Sequence, residues 1–491
     1  MALETATSRP YVAGVLLLDP PPGDDPADEP AWGPAAFDRI RATIAERLPL
    51  VPRLRQRALR MPLGLARPVW ADDPAFDLDA HVRRAALPSP GGRPELDELL
   101  GEVMARPLPP DRPLWEMVVV EGLEEGRSAV VARLHHAVLD GVSGATAMAA
   151  FLDLGPEPIA VPREKQPGAP VPGRALPPAT SLLRYAAASV VRQPAAALDA
   201  CNRSLDAMVA LAGQNRRLAA EGRTPPPTPF RVPRTSLNGN VTAERRVATM
   251  TVPLADLDLV RSACGGVTVN DVILCAVGDA AHRLLTSRGE RLPAPLVALV
   301  PVSTRGQAAV PEEGAPARVG NAISGMLVPL PVQASDPFER LRSVAQAAQV
   351  SKDQEELAGG DFLEGLTRAL PPAAVRALML GIGRFRVFDR LPPPCNLAVS
   401  TVVVPDVTLW WAGREVSAVY PLGPVVDGVA LNVTAMTYRG TVYVGLVACP
   451  RQVPDVAGLA ALLGSAFDDL VVRAATVRPH RARSTDEAAP G

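Results

Sequence analysis

Apolar residues recur at helical spacing from Ala36 to Leu48, where Phe37, Ile40, Ile44 and Leu48 share one face, and again from Leu96 to Met104. Trp115 to Val120 and Ser128 to Leu134 are short, β-branched runs joined by Glu121 to Arg127, a pattern that predicts a strand pair. Val142 to Leu152 reads as a small-residue helix ended by Gly155-Pro156. In the second half, Arg246 to Val252 predicts a strand. Leu254 to Ala263 reads as a helix stopped at Gly265-Gly266, and Val272 to Leu285 as a longer one. Strands are expected over Val297 to Val302, Ile323 to Leu330, Leu397 to Val404, Val429 to Tyr438 and Thr441 to Ala448. Val453 to Arg473 closes as a helix, and the polar tail from His480 has nothing to bury. Helices and strands interleave in both halves, so the fold class is α/β of the mixed α+β type.

Punctuation divides this pattern. Asp19 to Pro30, Pro156 to Pro178 and Thr224 to Pro233 are rich in proline and turn residues, and the last two bracket a helical stretch, Ser181 to Arg223, expected to break at Pro194. A chain of 491 residues is long for one core. The division expected is an N-terminal domain over 1–155, a Pro-rich and helical linker over 156–233, a C-terminal domain over 234–478 and a disordered tail over 479–491.

Composition narrows the chemistry. Charged residues are 21% of the chain, the net charge is −2 and no basic block stands out, which argues against nucleic acid as a partner. Lys165 and Lys352 are the only lysines, and neither completes a phosphate-binding G-x-x-x-x-G-K motif. Five scattered cysteines, without a C-x-x-C pair, suggest neither a disulfide framework nor structural zinc and fit a reducing, cytoplasmic compartment. Met1 to Arg9 has no apolar signal core, and no run of about 18 apolar residues could span a bilayer. Mean hydropathy is nonetheless +0.11, which points to contact with a membrane surface rather than passage through it.

The chemistry concentrates at Leu134-His135-His136-Ala137-Val138-Leu139-Asp140-Gly141, at the end of an expected strand. Consecutive strand residues face opposite ways, so His135 and His136 cannot readily converge on one metal ion. Gly141-Val142-Ser143-Gly144-Ala145 is not a nucleophile elbow, which needs glycine at the fifth position. A reactive histidine without a serine or cysteine partner suits direct general-base transfer, with no covalent enzyme intermediate. On these residues alone a structural histidine pair fits equally well.

The wider pattern resembles a known family. His-His-x-x-x-Asp-Gly at His135 to Gly141 is the signature of the coenzyme-A-dependent acyltransferase superfamily that includes chloramphenicol acetyltransferase and nonribosomal condensation domains. Phe76 to Val82, Arg112-Pro113-Leu114-Trp115-Glu116, Pro233 to Gly239 and Thr268-Val269-Asn270-Asp271 followed by Val272-Ile273-Leu274 look like the bacterial wax ester synthase/diacylglycerol acyltransferase family. Pro301 to Arg305, Gly320-Asn321 and Tyr438-Arg439-Gly440 continue the resemblance, which covers about Leu48 to Asp455. Two places depart from it: the opening at Pro10-Tyr11-Val12 and the stretch Ser400 to Pro405.

The resemblance implies two similar-sized, chloramphenicol-acetyltransferase-like domains with a central substrate channel. Acyl-CoA, a substrate rather than a cofactor, would meet diacylglycerol or a long-chain alcohol at His136, the general base. His135 would orient the loop. Asp140 would pair with Arg305 as a structural ion pair, Gly141 would leave room near the acyl carbonyl, and Asn270 would donate to the oxyanion. Thr268 and Asp271 also read as a helix N-cap and its N3 partner, compatible with that role. His81 and Trp115 read as packing residues. Wax ester synthesis, condensation on a carrier-protein thioester and a catalytically silent lipid-binding protein are the competing readings. Ala373 to Leu391, with Arg376, Arg384, Arg386 and Arg390 among bulky apolar residues, is the expected contact with a membrane or lipid-droplet surface at the inner face of the membrane. The alternative is that Val375, Leu378, Met379 and Ile382 pack on the core.

Overall fold

A computed structural model describes residues 4–20, 34–138, 144, 147–159, 176–222, 225–303, 323–358, 372–404 and 406–477. Its N-terminal half contains β1 (Tyr11–Leu18), α1 (Pro34–Arg47), the hairpin β2 (Gln56–Leu59) and β3 (Val69–Asp72), β4 (Val82–Ala86), α2 (Arg93–Ala105), β5 (Trp115–Glu121) and β6 (Ser128–His135). A long helix, α3 (Ala179–Ala220), follows. Then come β7 (Arg246–Pro253), α4 (Leu254–Cys264), α5 (Val269–Ser287), β8 (Leu296–Ser303), β9 (Ile323–Leu330), α6 (Pro337–Ala358), α7 (Pro372–Arg384), β10 (Leu397–Val403), β11 (Trp410–Trp411), β12 (Arg414–Leu422), β13 (Leu431–Tyr438), β14 (Thr441–Ala448) and α8 (Val456–Thr476).

Two six-stranded mixed sheets organise these elements, in the orders β11-β12-β1-β6-β5-β4 and β7-β14-β13-β10-β8-β9. Every residue of β5 and β6 is buried, which explains why both runs read as continuously apolar rather than alternating. Ile40 and Ile44 of α1 and Leu96 and Leu100 of α2 belong to the core of the first sheet. The second sheet is cored by α5, with Val272 to Val277 buried in succession, and by Leu459, Leu463 and Phe467 of α8.

The sequence reading left β1, the β2–β3 hairpin, β4, β11, β12 and α6 unassigned. Most of these are short or interrupted by polar residues, and their partners lie far away along the chain. The break expected at Pro194 is absent: α3 runs through it for 42 residues. A helix-interior proline costs about 3 kcal/mol, and α3 is held on both sides of it. Ala186 packs with Met61 and Ala66 of the N-terminal half, while Asn215 accepts a hydrogen bond from Gln354 of α6 at 2.6 Å. The segment read as a linker thus contains a helix docked on both halves. Of the helix expected over 142–152, only Gly144 and Ala147 to Ala149 are described as helical, and the tail from His480 lies outside the described residues.

The halves also interlock through β12, which enters the N-terminal sheet beside β1, with Val15 opposite Tyr420. At this seam a Cβ on Gly445 would stand 2.0 Å from the Pro421 carbonyl oxygen, so only glycine lets β14 approach β12. Across the same seam α2 lies over β7. A Cβ on Gly101 would be 2.8 Å from the Arg245 oxygen. Asp97 accepts from the Thr249 hydroxyl at 2.8 Å and the Thr249 amide at 3.1 Å.

Burial pushes the Asp97 carboxyl up to about 6, against the Thr249 hydrogen bonds and the charge of Arg93. The folded state therefore binds this proton more tightly than the unfolded chain. Ionised Asp97 opposes folding above about pH 6, and that penalty disappears as pH falls toward its unfolded value near 4. Asp97→Asn is expected to raise Tm relative to wild type at about pH 8 and to lose that advantage at about pH 4. Paired thermal melts at the two pH values check it.

Candidate active site

The His-His turn is held from below by a buried ion pair. Arg133, two residues before the end of β6, is 1% exposed; its guanidinium donates to Glu116 on β5 at 2.7 Å and to the carbonyls of Arg106 and Val103. It also lies 5.0 Å from the centre of the Tyr11 ring. Desolvation lowers the Arg133 pKa, and Glu116 opposes that shift. Removing one partner of such a pair typically costs about 3–5 kcal/mol, because the other charge stays buried and unpaired.

His135 closes the strand and is 1% exposed. Its Nδ1 accepts the Ala137 amide at 2.9 Å, so the ring proton resides on Nε2, which faces Glu4 Oε2 at 3.5 Å. Burial lowers the His135 pKa more than Glu4 raises it, which favours the same neutral ring. Burial alone would raise the Glu4 carboxyl, but His135 and the Tyr11 hydroxyl together hold it below its ordinary value. Tyr11 donates to Glu4 at 3.4 Å, accepts from the Leu108 amide at 3.0 Å, and meets the His135 ring edge-on.

His136 begins the turn after the strand. Its amide donates to the Pro10 carbonyl at 2.8 Å, and Val138 closes the turn onto the His135 carbonyl at 2.8 Å. The ring is only half-buried. The two histidines differ in environment: His135 is enclosed by protein and braces the turn, while His136 is only partly buried. Asp140, Gly141 and Arg305 lie outside the described residues.

Asn270 belongs to the other half, in the first turn of α5. Thr268 caps that helix, and its side chain and the Asp271 carboxylate satisfy each other's backbone amides, the reciprocal box read from the sequence. The Asn270 Oδ1 accepts from the Thr401 hydroxyl of β10 at 2.9 Å. That contact fixes the amide plane and leaves the NH2 group to act as donor. His81 and Trp115 do pack: their rings stack at 4.5 Å, Phe76 covers His81, and the Trp115 indole donates to the Leu54 carbonyl. Beside α5 opens a cavity of about 550 Å³ between its N-terminus and α6. Among the described residues no group of three His, Cys, Asp or Glu could hold a metal.

Sequence reasoning missed Glu4, Tyr11 and Thr401. An isolated acid seven residues before a tyrosine carries no signal until β1 is paired with β6. Thr401 falls in the Ser400 to Pro405 stretch, where the family pattern is broken.

Two mixed sheets joined by a crossing strand, with a histidine pair at the end of a central strand, give a two-half α/β architecture, and comparison with known proteins makes it that of an acyltransferase. The profile of the wax ester synthase/diacylglycerol acyltransferase catalytic domain matches residues 1–273, and that of the family's C-terminal domain matches residues 319–471. The chain belongs to the wax ester synthase/diacylglycerol acyltransferase family. A Mycobacterium tuberculosis protein provisionally named a diacylglycerol O-acyltransferase is 32% identical over 440 residues, covering 89% of this chain and 83% of its own length. A Mycobacterium bovis relative, named in the same way, is 32% identical over 95% of this chain and 96% of its own. The Marinobacter aquaeolei VT8 wax ester synthase/diacylglycerol acyltransferase shares the fold, with a TM-score of 0.64 at 24% identity over 96% of this chain and 97% of that one. The first condensation domain of a calcium-dependent antibiotic synthetase follows at a TM-score of 0.53 and 18% identity, over 96% and 92%.

Glu4→Ala removes the carboxylate facing His135, and the contact removed is worth about 1–3 kcal/mol. Turnover is expected to fall about tenfold with KM for both substrates unchanged, because the loss acts on the orientation of the His136 turn. Glu4→Gln should restore most of it. Steady-state kinetics of the two variants check this.

Proposed function

We propose that this enzyme transfers the acyl group of acyl-CoA to the hydroxyl of diacylglycerol, giving triacylglycerol, with His136 as general base and no covalent enzyme intermediate. The observation that carries this reading is the divergence of the two histidines. One is locked in the core as a neutral ring, and the other is presented on a turn fixed by the Pro10 and His135 carbonyls. A neutral imidazole takes the alcohol proton as the oxygen attacks the thioester carbonyl. The tetrahedral oxyanion is stabilised by a donor such as the Asn270 amide, aided by the positive end of α5. Collapse expels the CoA thiolate, which takes the proton back from the imidazolium. A cysteine nucleophile fits poorly: burial pushes the Cys275 and Cys395 thiols up to about 12.

His136→Ala should abolish ester formation from labelled palmitoyl-CoA, and Asn270→Ala should lower kcat by about 10²–10³-fold. Thin-layer chromatography with diacylglycerol, a long-chain alcohol and a lipid-free alcohol as acceptors identifies the product. Near-wild-type turnover by His136→Ala would refute the assignment, and a dominant wax ester would move the main activity to the long-chain alcohol.

Lipid acceptors reside in membranes, and no single described helix is long and apolar enough to cross one. Surface docking is the arrangement we favour. On α7 and the turn after it, Leu378, Leu380, Phe385 and Leu391 are exposed beside Arg376, Arg384, Arg386 and Arg390, a pairing that suits an anionic lipid interface. Of the residues that could have packed on the core, Val375 does, Met379 and Ile382 are half-buried and Leu378 is free. Phe388, expected among acyl chains, is instead half-buried. Its ring would lie 3.3 Å from a Cβ on Gly428, and its amide donates to Asn240. Wild type is therefore expected to float with anionic vesicles, and Leu380→Ser combined with Arg384→Glu and Phe385→Ser should not. Equal flotation would shift the anchor to the exposed Leu183, Tyr185 and Val191 of α3.

A further inference from the structure

The cavity beside Asn270 is unlike the apolar pocket a lipid acceptor would need. Its walls are the Gly265-Gly266 turn, the first turn of α5 and one face of α6. On α6 that face carries Arg342, Ala345, Gln349 and Lys352, successive positions at helical spacing. Ten residues separate the two cations, about 15 Å along the helix axis. Lys352 is one of only two lysines in the chain. Arg342 lies 5.8 Å from the Phe338 ring, and among the described residues neither Arg342 nor Lys352 forms a salt bridge.

The opposite wall suits anions too. Gly265 and Gly266 both have positive φ (71° and 68°), with open space where a Cβ would stand, so a bulky ligand group could reach their backbone. The capping box uses the Thr268 and Asp271 amides, leaving those of Val269 and Asn270 at the positive end of α5. The one carboxylate on the wall, Asp271, is turned inward onto Thr268. The volume, about 550 Å³, is that of a small-molecule site. Two separated cations fit a ligand with more than one phosphate.

We infer that this groove binds the nucleotide end of acyl-CoA, with Arg342 and Lys352 engaging the phosphates of its 3′-phospho-ADP moiety and Asn270 marking the end from which the thioester arm leaves. This rests on the acyl-CoA reading above and adds to it the residues that recognise the nucleotide. A carrier-protein donor, with a single phosphate on its pantetheine arm, would not use both cations.

Calorimetry with CoA, with 3′,5′-ADP and with 4′-phosphopantetheine, in the absence of any acceptor, separates this inference from the catalytic one. Wild type should bind CoA and 3′,5′-ADP, and bind phosphopantetheine at least tenfold more weakly than CoA. Arg342→Glu with Lys352→Glu should weaken CoA and 3′,5′-ADP by tenfold or more, and Arg342→Ala with Lys352→Ala should weaken them in the same sense. In turnover, the double variants should raise KM for palmitoyl-CoA and leave kinetics with palmitoyl-N-acetylcysteamine, which has no phosphate, as in wild type. Unchanged CoA affinity in both double variants would overturn the inference, as would equal affinity for phosphopantetheine and CoA, or failure of wild type to bind 3′,5′-ADP. If wild type binds CoA through these residues yet transfers no acyl group, the catalytic reading fails and this one stands.

Discussion

The architecture turns on one strand pairing. β12, about four hundred residues after β1, completes the N-terminal sheet by hydrogen-bonding along β1, and the chain then passes directly into β13 of the other sheet. A strand that belongs to one half by sequence and to the other by pairing prevents the halves from separating without breaking a sheet. Closing so long a loop costs little more than closing a short one, since the entropy grows only logarithmically with length. What the crossing requires is close backbone approach, and Gly445 against Pro421 provides it. The contact of Asp97 with Thr249 and the docking of α3 on both halves then set the relative placement of the sheets.

That placement matters because the proposed site draws on residues of both halves. The N-terminal sheet supplies His136, the base proposed above, on a turn whose backbone has little freedom. Its strand carries a buried arginine paired with Glu116, its first histidine is enclosed between Ala137 and Glu4, and its second is tied to Pro10. The Arg133 guanidinium finds Glu116 and two backbone carbonyls, and the His135 Nδ1 finds the Ala137 amide, so most of the polarity taken from water here is matched, the condition under which buried charge specifies a geometry instead of destabilising it. The C-terminal half supplies a helix start, a fixed amide and a cationic groove. Catalysis by positioning and electrostatics needs this rigidity, since a donor or base misplaced by 1 Å can cost about 10² in rate.

Exposed apolar residues gather on α7 and the turn after it. The bent pair α4 and α5 is apolar in composition because it is core, with Val272 to Ala281 buried. The unburied leucines of α7 and the Phe385 that follows it are a different case: they sit among arginines at the surface, where a soluble domain ordinarily places polar residues.

The mixed α/β class, the strands of the second sheet and the start of α5 were legible in the sequence because each rests on local physics. β-branched runs bounded by turns and apolar faces at helical spacing need no distant partner to be recognised, and the Thr268–Asp271 box spans four residues. The different environments of His135 and His136 were legible too, since adjacent strand residues face opposite ways. Tertiary structure alone decided the rest. β1 and β12 are recognisable only as each other's neighbour, and α3 ignores Pro194 because both of its flanks are docked. Glu4, Tyr11 and Thr401 acquire roles only when pairing brings them to His135 and Asn270. The exposure of Leu378 and the burial of Phe388 were equally undetermined by periodicity. It fixes which residues share a face and leaves open whether that face meets protein or water, a choice made by the packing of elements distant in the chain.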